Sequence, residues 1–173
     1  TLSSSSAASD VYKRQLAAGN YAAHYLPPNA IILEIWGLTQ TSPAQERHKG
    51  FVDALRERED LSFRKIEGQW LVDTARMELR KLEHPEQIDF VYAHNDMMAI
   101  AAREYFIAWD SIRGRDLRII GVDAVAGAGL EAVEDGRINA SFLYPTGGEQ
   151  VIRTAMRIIQ GEPVDKFIPL RTA

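Results

Sequence analysis

Short apolar runs alternate with amphipathic segments along this chain of 173 residues, and this alternation limits its fold more than any other feature. The predicted strands cover residues 30–36, 61–66, 88–93, 117–122, 138–144 and 167–170. The predicted helices cover residues 16–25, 42–58, 70–82, 96–109, 130–134 and 151–160. Strands that take turns with helices favour a mostly parallel sheet with helices on both faces, since parallel strands need long crossover connections. The predicted fold class is therefore α/β and Rossmann-like.

The composition argues against several classes of function. A hydrophobic fraction of 46% supplies enough apolar material for a core, and a net charge of −4 offers no basic surface to nucleic acid. The sequence has no cysteine, and its four histidines lack the spacing of metal ligands. No stretch approaches the roughly 20 apolar residues that a membrane helix needs. We therefore expect no metal site and no nucleic-acid partner for this segment.

Residues 1–15 differ in character from the rest of the chain. Residues 1–8 are rich in Ser and Ala, without the basic start and apolar run of a signal peptide. Residues 10–15 resemble the translation of a transposase adapter that is used in sequencing libraries. We interpret residues 1–15 as a non-native tail, with a disordered natural tail as the alternative.

Polar and aromatic side chains follow the ends of the predicted strands, where parallel sheets bind their ligands. The candidate ligand-binding residues are Leu38, Arg47, Trp70, Asn95, Asp123 and Tyr144. Guanidinium, carboxamide and carboxylate groups each bond neighbouring hydroxyls, and aromatic rings cover the C–H face of a sugar. This set of residue types predicts a site for a small polyol.

Each polar or aromatic candidate also has a purely structural interpretation. Arg47 has acidic neighbours on its own helix, Trp70 suits a core position, and Asn95 suits a helix N-cap. Asp123 suits a turn, and Tyr144 suits packing at the edge of a strand. The functional interpretation depends on all of them meeting at one edge of the sheet.

Two other patterns carry little functional weight. Residues 127–132 fit the G-x-G-x-x-A dinucleotide fingerprint, but they lie several residues after the strand and lack the later acidic residue that binds a ribose. The chain has no G-x-S-x-G nucleophile elbow and no evident pair of carboxylates for acid–base catalysis. We therefore predict a protein that is not an enzyme and that uses no cofactor.

Four stretches together resemble one known family, the type I periplasmic sugar-binding proteins of the ribose-binding kind. They are TSPAQERHKGF (41–51), YAHNDMMAI (92–100), IGVD (120–123) and GEPV (161–164). The resemblance implies the C-terminal lobe of a two-lobe periplasmic binding protein-like I fold, in which hinge closure clamps the ligand. It implies a ligand-binding lobe at residues 16–144, a crossover segment of the other lobe at 145–165, and a return strand at 166–173.

The resemblance also implies roles for individual residues. Arg47, Asn95 and Asp123 match ligand-binding positions of the family, and Trp70 stands where this lobe carries an aromatic residue. Tyr144 replaces a frequent glutamine, which predicts an altered sugar preference. The apolar face within residues 150–160 lacks its natural cover in this chain, so we expect self-association or instability.

The function implied by the resemblance is non-enzymatic sugar binding in the periplasm. The partner is a membrane permease of the ABC type or the machinery of a sensor kinase. The stretch FLYPTGG (142–148) resembles sensor versions of the domain in Bacteroidetes hybrid histidine kinases. The alternative is the effector-binding domain of a repressor of the lactose-repressor family, which shares the fold and carries an upstream helix-turn-helix.

Overall fold

The computed structural model describes residues 5–143 and 148–165, with only the backbone described for residues 5–11, 13 and 148–150. The helices are α1 (Ser5–Tyr25), α2 (Ser42–Ala54), α3 (Val72–Leu79), α4 (Asp96–Trp109), α5 (Arg113–Asp116), α6 (Gly129–Glu134) and α7 (Gly148–Ile159). The strands are β1 (Ile31–Trp36), β2 (Ser62–Glu67), β3 (Phe90–Ala93), β4 (Arg118–Asp123) and β5 (Ala140–Leu143). A short 3₁₀ turn at Pro85–Gln87 precedes β3.

The five strands form one sheet in the order β2-β1-β3-β4-β5, and every neighbouring pair is parallel. The predicted α/β class and the parallel sheet are confirmed. Parallel pairing aligns the carboxyl ends of β1, β3 and β4 at one edge, so the segments that follow these strands lie close together.

Successive strand residues point to opposite faces, and each face packs against its own helices. On one face, the buried residues of β1, β3 and β4 join those of α3, α4 and α6. On the other face, Ile32, Phe90, Tyr92, Ile120 and Val122 pack against α1 and α2. Both faces are therefore apolar, which explains why the sequence of these strands reads as continuous hydrophobic runs rather than as alternation.

The ends of several elements differ from the predicted bounds. Helix α2 ends at Ala54 instead of near residue 58, and α3 covers only Val72–Leu79 of the predicted 70–82. Both differences lie in solvated segments, where the hydrophobic pattern does not fix the last turn. The predicted last strand and the return segment at 166–173 lie outside the described residues.

Helix α1 begins at Ser5, so the predicted boundary at residue 15 lies inside a helix. The Gln15 side chain is buried, and its amide oxygen accepts a hydrogen bond from the Tyr92 hydroxyl. The Tyr12 hydroxyl donates to Asp53 at 2.9 Å. The native or non-native origin of residues 1–15 stays a prediction.

Helix α7 exposes its apolar side chains to solvent. Val151, Ile152, Met156, Ile158 and Ile159 are all exposed, and Ile159 reaches 79%. No helix in the described ranges is both long enough and apolar enough to cross a bilayer. The assignment of α7 to a second lobe stays a prediction.

We expect this chain, when produced alone, to self-associate through α7, because clustered exposed apolar side chains gain free energy from mutual burial. The double variant Ile152→Glu/Ile159→Glu is expected to weaken self-association at least about tenfold, since each glutamate places a charge in the contact. Sedimentation equilibrium measures the effect. The matched control is Ile112→Glu, which alters an isolated side chain that is 75% exposed. A monomeric parent chain at high concentration would contradict the expectation.

Candidate functional site

The Arg47 side chain lies at the carboxyl edge of the sheet and connects three segments. Arg47 belongs to α2 and is only 5% exposed. One guanidinium nitrogen, Nη2, donates to Asp123 Oδ1 at 2.8 Å, and Nη1 donates to the His94 carbonyl. Arg47 therefore ties α2 to the ends of β3 and β4 with charge-assisted hydrogen bonds.

The Trp70 indole packs on this guanidinium. The Arg47 Cζ atom lies 5.0 Å from the centroid of the Trp70 ring, within the range of a cation–π contact. Trp70 has a φ of 68°, an unusual conformation for a residue with a side chain. The ring lies against the backbone of Gly37, where a Cβ atom would come within 2.2 Å of it. Glycine at position 37 is therefore required for the indole to reach Arg47.

Asn95 uses both ends of its carboxamide within the protein. Its Oδ1 accepts from the Met98 N–H at 2.9 Å and caps α4, and its Nδ2 donates to the Trp70 carbonyl at 3.1 Å. Asn95 is therefore the N-cap of α4, as its structural interpretation predicts. A carboxamide still has a second N–H and a second lone pair, so a ligand contact remains compatible with the cap.

Asp123 ends β4 with a φ of 107°, and Ala124 follows with a φ of 48°. Two consecutive non-glycine residues in this region mark a turn that its surroundings must hold. Burial raises the pKa of the Asp123 carboxyl, and the charge and hydrogen bond of Arg47 oppose that rise. The turn thus aims a partly exposed carboxylate at Arg47.

The structure brings Arg47, Trp70, Asn95 and Asp123 together, as expected from their positions after the strands. Leu38 lies in the loop after β1, and its side chain is 42% exposed. Its carbonyl accepts hydrogen bonds from the backbone and hydroxyl of Thr41. Tyr144 lies outside the described residues. The assignment of all six as ligand-binding residues stays a prediction.

Sequence reasoning missed a buried polar cluster directly beneath these residues. Glu34, in the middle of β1, is 2% exposed and contacts two imidazoles. His94 Nε2 lies 2.9 Å from Glu34 Oε1, and His48 Nδ1 lies 2.9 Å from Glu34 Oε2. Burial disfavours the charged carboxylate, but the hydrogen bonds of His48 and His94 outweigh it and lower the pKa of Glu34. An acidic residue inside an apolar strand was the available signal, because such a group needs partners.

A second buried carboxyl supports the turn at Asp123. The Asp96 carboxyl accepts a hydrogen bond from the Ser141 hydroxyl, whose oxygen accepts from the Ala124 N–H at 2.9 Å. Burial raises the pKa of Asp96 to about 6, with a further contribution from the charge of Asp123. Gly121 and Gly129 leave the space that this carboxyl occupies.

The site combines hydrogen-bonding groups with one aromatic face. It offers a guanidinium, a carboxylate and a carboxamide next to one indole face, which suits a compact ligand with several hydroxyl groups. Within the described ranges 5–143 and 148–165, no group of three or more His, Asp or Glu side chains could hold a metal ion.

The fold and the site define a class of protein, and comparison with known proteins establishes it. The model of the periplasmic binding protein domain family matches residues 3–163 of this chain. The chain therefore belongs to the periplasmic binding protein domain family. The predicted membership of the sugar-binding branch is confirmed by its relatives.

Among curated proteins, the chain is 29% identical over 162 residues to the ribose import binding protein of Escherichia coli, covering 88% of this chain and 51% of that protein. The ribose import binding protein of Bacillus subtilis is 28% identical over 169 residues, covering 93% of this chain and 52% of that protein. This chain thus spans about half the length of the curated relatives that it matches.

Among solved structures, the fructose-binding periplasmic domain of a hybrid two-component system from Bacteroides superposes with a TM-score of 0.80. It is 35% identical, and the match covers 95% of this chain and 55% of that one. A Mycobacterium smegmatis protein in complex with β-D-fucofuranose superposes with a TM-score of 0.72 at 26% identity, covering 92% of this chain and 53% of that one.

We expect Asp96 to make stability depend on pH between its ordinary pKa of 3.8 and its folded value of about 6. The folded state holds the proton more tightly than the unfolded state, so the free energy of unfolding falls as pH rises through this window. The loss from this group is about 2–3 kcal/mol.

Denaturant unfolding at a series of pH values from 4 to 8 measures this dependence. Asp96→Asn, which cannot ionise, is expected to lose this part of the slope, whereas the control Asp116→Asn in the exposed helix α5 retains it. Identical slopes for the parent protein and Asp96→Asn would refute the expectation.

Proposed function

We propose that this chain is one lobe of a two-lobe protein that binds a monosaccharide at the Arg47–Asp123 site. The observation that carries the proposal is the meeting of Arg47, Trp70, Asn95 and Asp123 at the carboxyl edge of the sheet. The chain spans about half of each relative described above, so the ligand is expected to lie between this edge and a second lobe.

The chemistry of the site supports a sugar over other small ligands. The Asp123 carboxylate accepts hydrogen bonds from hydroxyls, the Arg47 guanidinium donates to ring or hydroxyl oxygens, and the indole of Trp70 covers C–H groups. Because Arg47 and Asp123 already pair, the site is close to neutral and does not select a charged ligand. The names of the relatives state ribose, fructose and a fucofuranose as their ligands, which supports a monosaccharide as the ligand of this site.

The place of action that we propose is the periplasm, where the bound sugar is reported to a membrane partner. One relative is an import binding protein, and another is the sensor domain of a hybrid two-component system. The partner is therefore an ABC-type permease or a sensor kinase. The full gene sequence distinguishes the two, because the gene of a sensor kinase encodes a membrane helix and a kinase domain downstream of this segment.

The alternative of a repressor effector domain has no support among these relatives. A helix-turn-helix encoded directly upstream of this segment would favour it. The full open reading frame distinguishes this function from the sugar-binding lobe.

Calorimetric titration of the full-length gene product with pentoses, hexoses and furanose disaccharides tests the proposal. We expect one sugar of the panel to bind, and we expect Arg47→Ala or Asp123→Ala to weaken its binding by about 2–4 kcal/mol, or about 30- to 700-fold in Kd. Each variant removes a charged partner from a buried polar contact.

The matched control is Lys49→Ala, which removes a cation that is 65% exposed from the same helix. It is expected to leave Kd unchanged within about twofold, because exposed ion pairs contribute little. A folded protein that binds no sugar of the panel contradicts the proposal, and undiminished binding by both site variants places the site elsewhere.

A further inference from the structure

The cluster of Glu34, His48 and His94 has no direct part in ligand contact as proposed above. Burying an ionised carboxylate costs several kcal/mol before its partners are counted. Glu34 nonetheless lies in β1 on the face of α1 and α2, with Lys65 of β2 and Tyr92 of β3 beside it in register. A group this costly needs a reason beyond filling space.

The hydrogen bonds of His94 fix its protonation. The Gly37 N–H can only donate, and it lies 3.3 Å from His94 Nδ1, so Nδ1 accepts. Nε2 therefore carries the proton and donates to Glu34 Oε1 at 2.9 Å. Burial lowers the pKa of His94, which keeps the ring neutral and preserves this arrangement. The imidazole is thus a bridge with one acceptor end and one donor end.

His94 reaches the ligand site in two ways, through its backbone and through the acceptor end of its ring. The backbone carbonyl of His94 accepts the hydrogen bond from Arg47 Nη1. The backbone of Gly37, which donates to the ring, is the surface on which the Trp70 indole rests. One side chain therefore joins the segment after β3 to the segment after β1, and these segments support two of the four site residues.

The neighbouring rings restrict His94 further. Its ring lies 5.0 Å from Trp36, 5.3 Å from Tyr92 and 6.1 Å from Trp70, measured between centroids. Trp36 also packs on His48 at 4.6 Å. Enclosed on several sides, the imidazole cannot turn away from Glu34 without displacing an aromatic side chain.

We propose that Glu34 and His94 are positioning residues of the ligand site: the bridge from Glu34 through His94 to Gly37 holds Arg47 and Trp70 in the geometry that receives a sugar. This inference rests on the proposed function for its effect on affinity. Stability alone does not explain the cluster, because buried ionic groups are often replaced by apolar residues without loss of stability. Hydrogen-bonded supports of this kind orient the groups that contact a ligand.

The test compares two variants of the full-length gene product. His94→Gln keeps one acceptor and one donor, and it is expected to hold Kd for D-ribose and D-fructose within about threefold of the parent value. Glu34→Leu/His94→Leu removes the bridge without leaving an unpaired carboxylate, and it is expected to raise Kd at least about tenfold. Its melting temperature is expected to stay within about 5 °C of the parent value. His24→Leu, at an exposed position of α1, is the control for a lost histidine.

A measurement without sugar separates this inference from the proposed function. In the parent protein and in His94→Gln, NMR signals of the Arg47 guanidinium are expected to show distinct, slowly exchanging hydrogens. In the double variant, these signals are expected to average. A parent protein that binds neither sugar contradicts the proposed function for these two ligands. The Arg47 signals still test the positioning role in that case.

Two results overturn the inference. Unchanged Arg47 signals in the double variant show that the bridge does not hold the guanidinium. A double variant that fails to fold shows that the cluster serves stability instead of positioning. Rescue of the Arg47 signals by His94→Gln, together with their loss in a folded double variant, supports it.

Discussion

The ion pair between Arg47 and Asp123 is the contact on which the rest of the site depends. It brings α2 against the turn after β4, and the same guanidinium reaches the His94 carbonyl at the end of β3. A pair at this depth is stabilising only when both charges keep good partners.

Much of the architecture could be predicted because strands that are buried on both faces of the sheet have continuous apolar sequences. The runs that became β1, β3 and β4 are apolar at nearly every position, and the helix over Asp96–Trp109 has the predicted bounds. The ends of α2 and α3 could not be placed, since their last turns are solvated and several sequences end a helix equally well there. Side-chain convergence followed from topology, because parallel strands align their carboxyl ends.

The buried polar residues were harder to predict than the exposed ones. Glu34 lies within a hydrophobic run. The hydrophobic pattern predicts a buried strand there, but it does not predict that Glu34 is the centre of a polar cluster. Its partners lie at positions 48 and 94, so no local spacing announces them. Asp96 and Ser141 present the same difficulty, being joined across strands by a fold that must be known first. Hydrogen bonds between residues that are far apart in the chain cannot be predicted from a single sequence.

Asn95 combines a position in the candidate site with a structural role in the fold. The carboxamide that faces the site also caps α4, the helix whose buried residues fill much of one core layer. A substitution that removes the carboxamide at this position also removes a helix cap. Substitution at position 95 is therefore constrained by the helix, whereas an exposed loop position such as Leu38, where no helix depends on the side chain, has more freedom to vary.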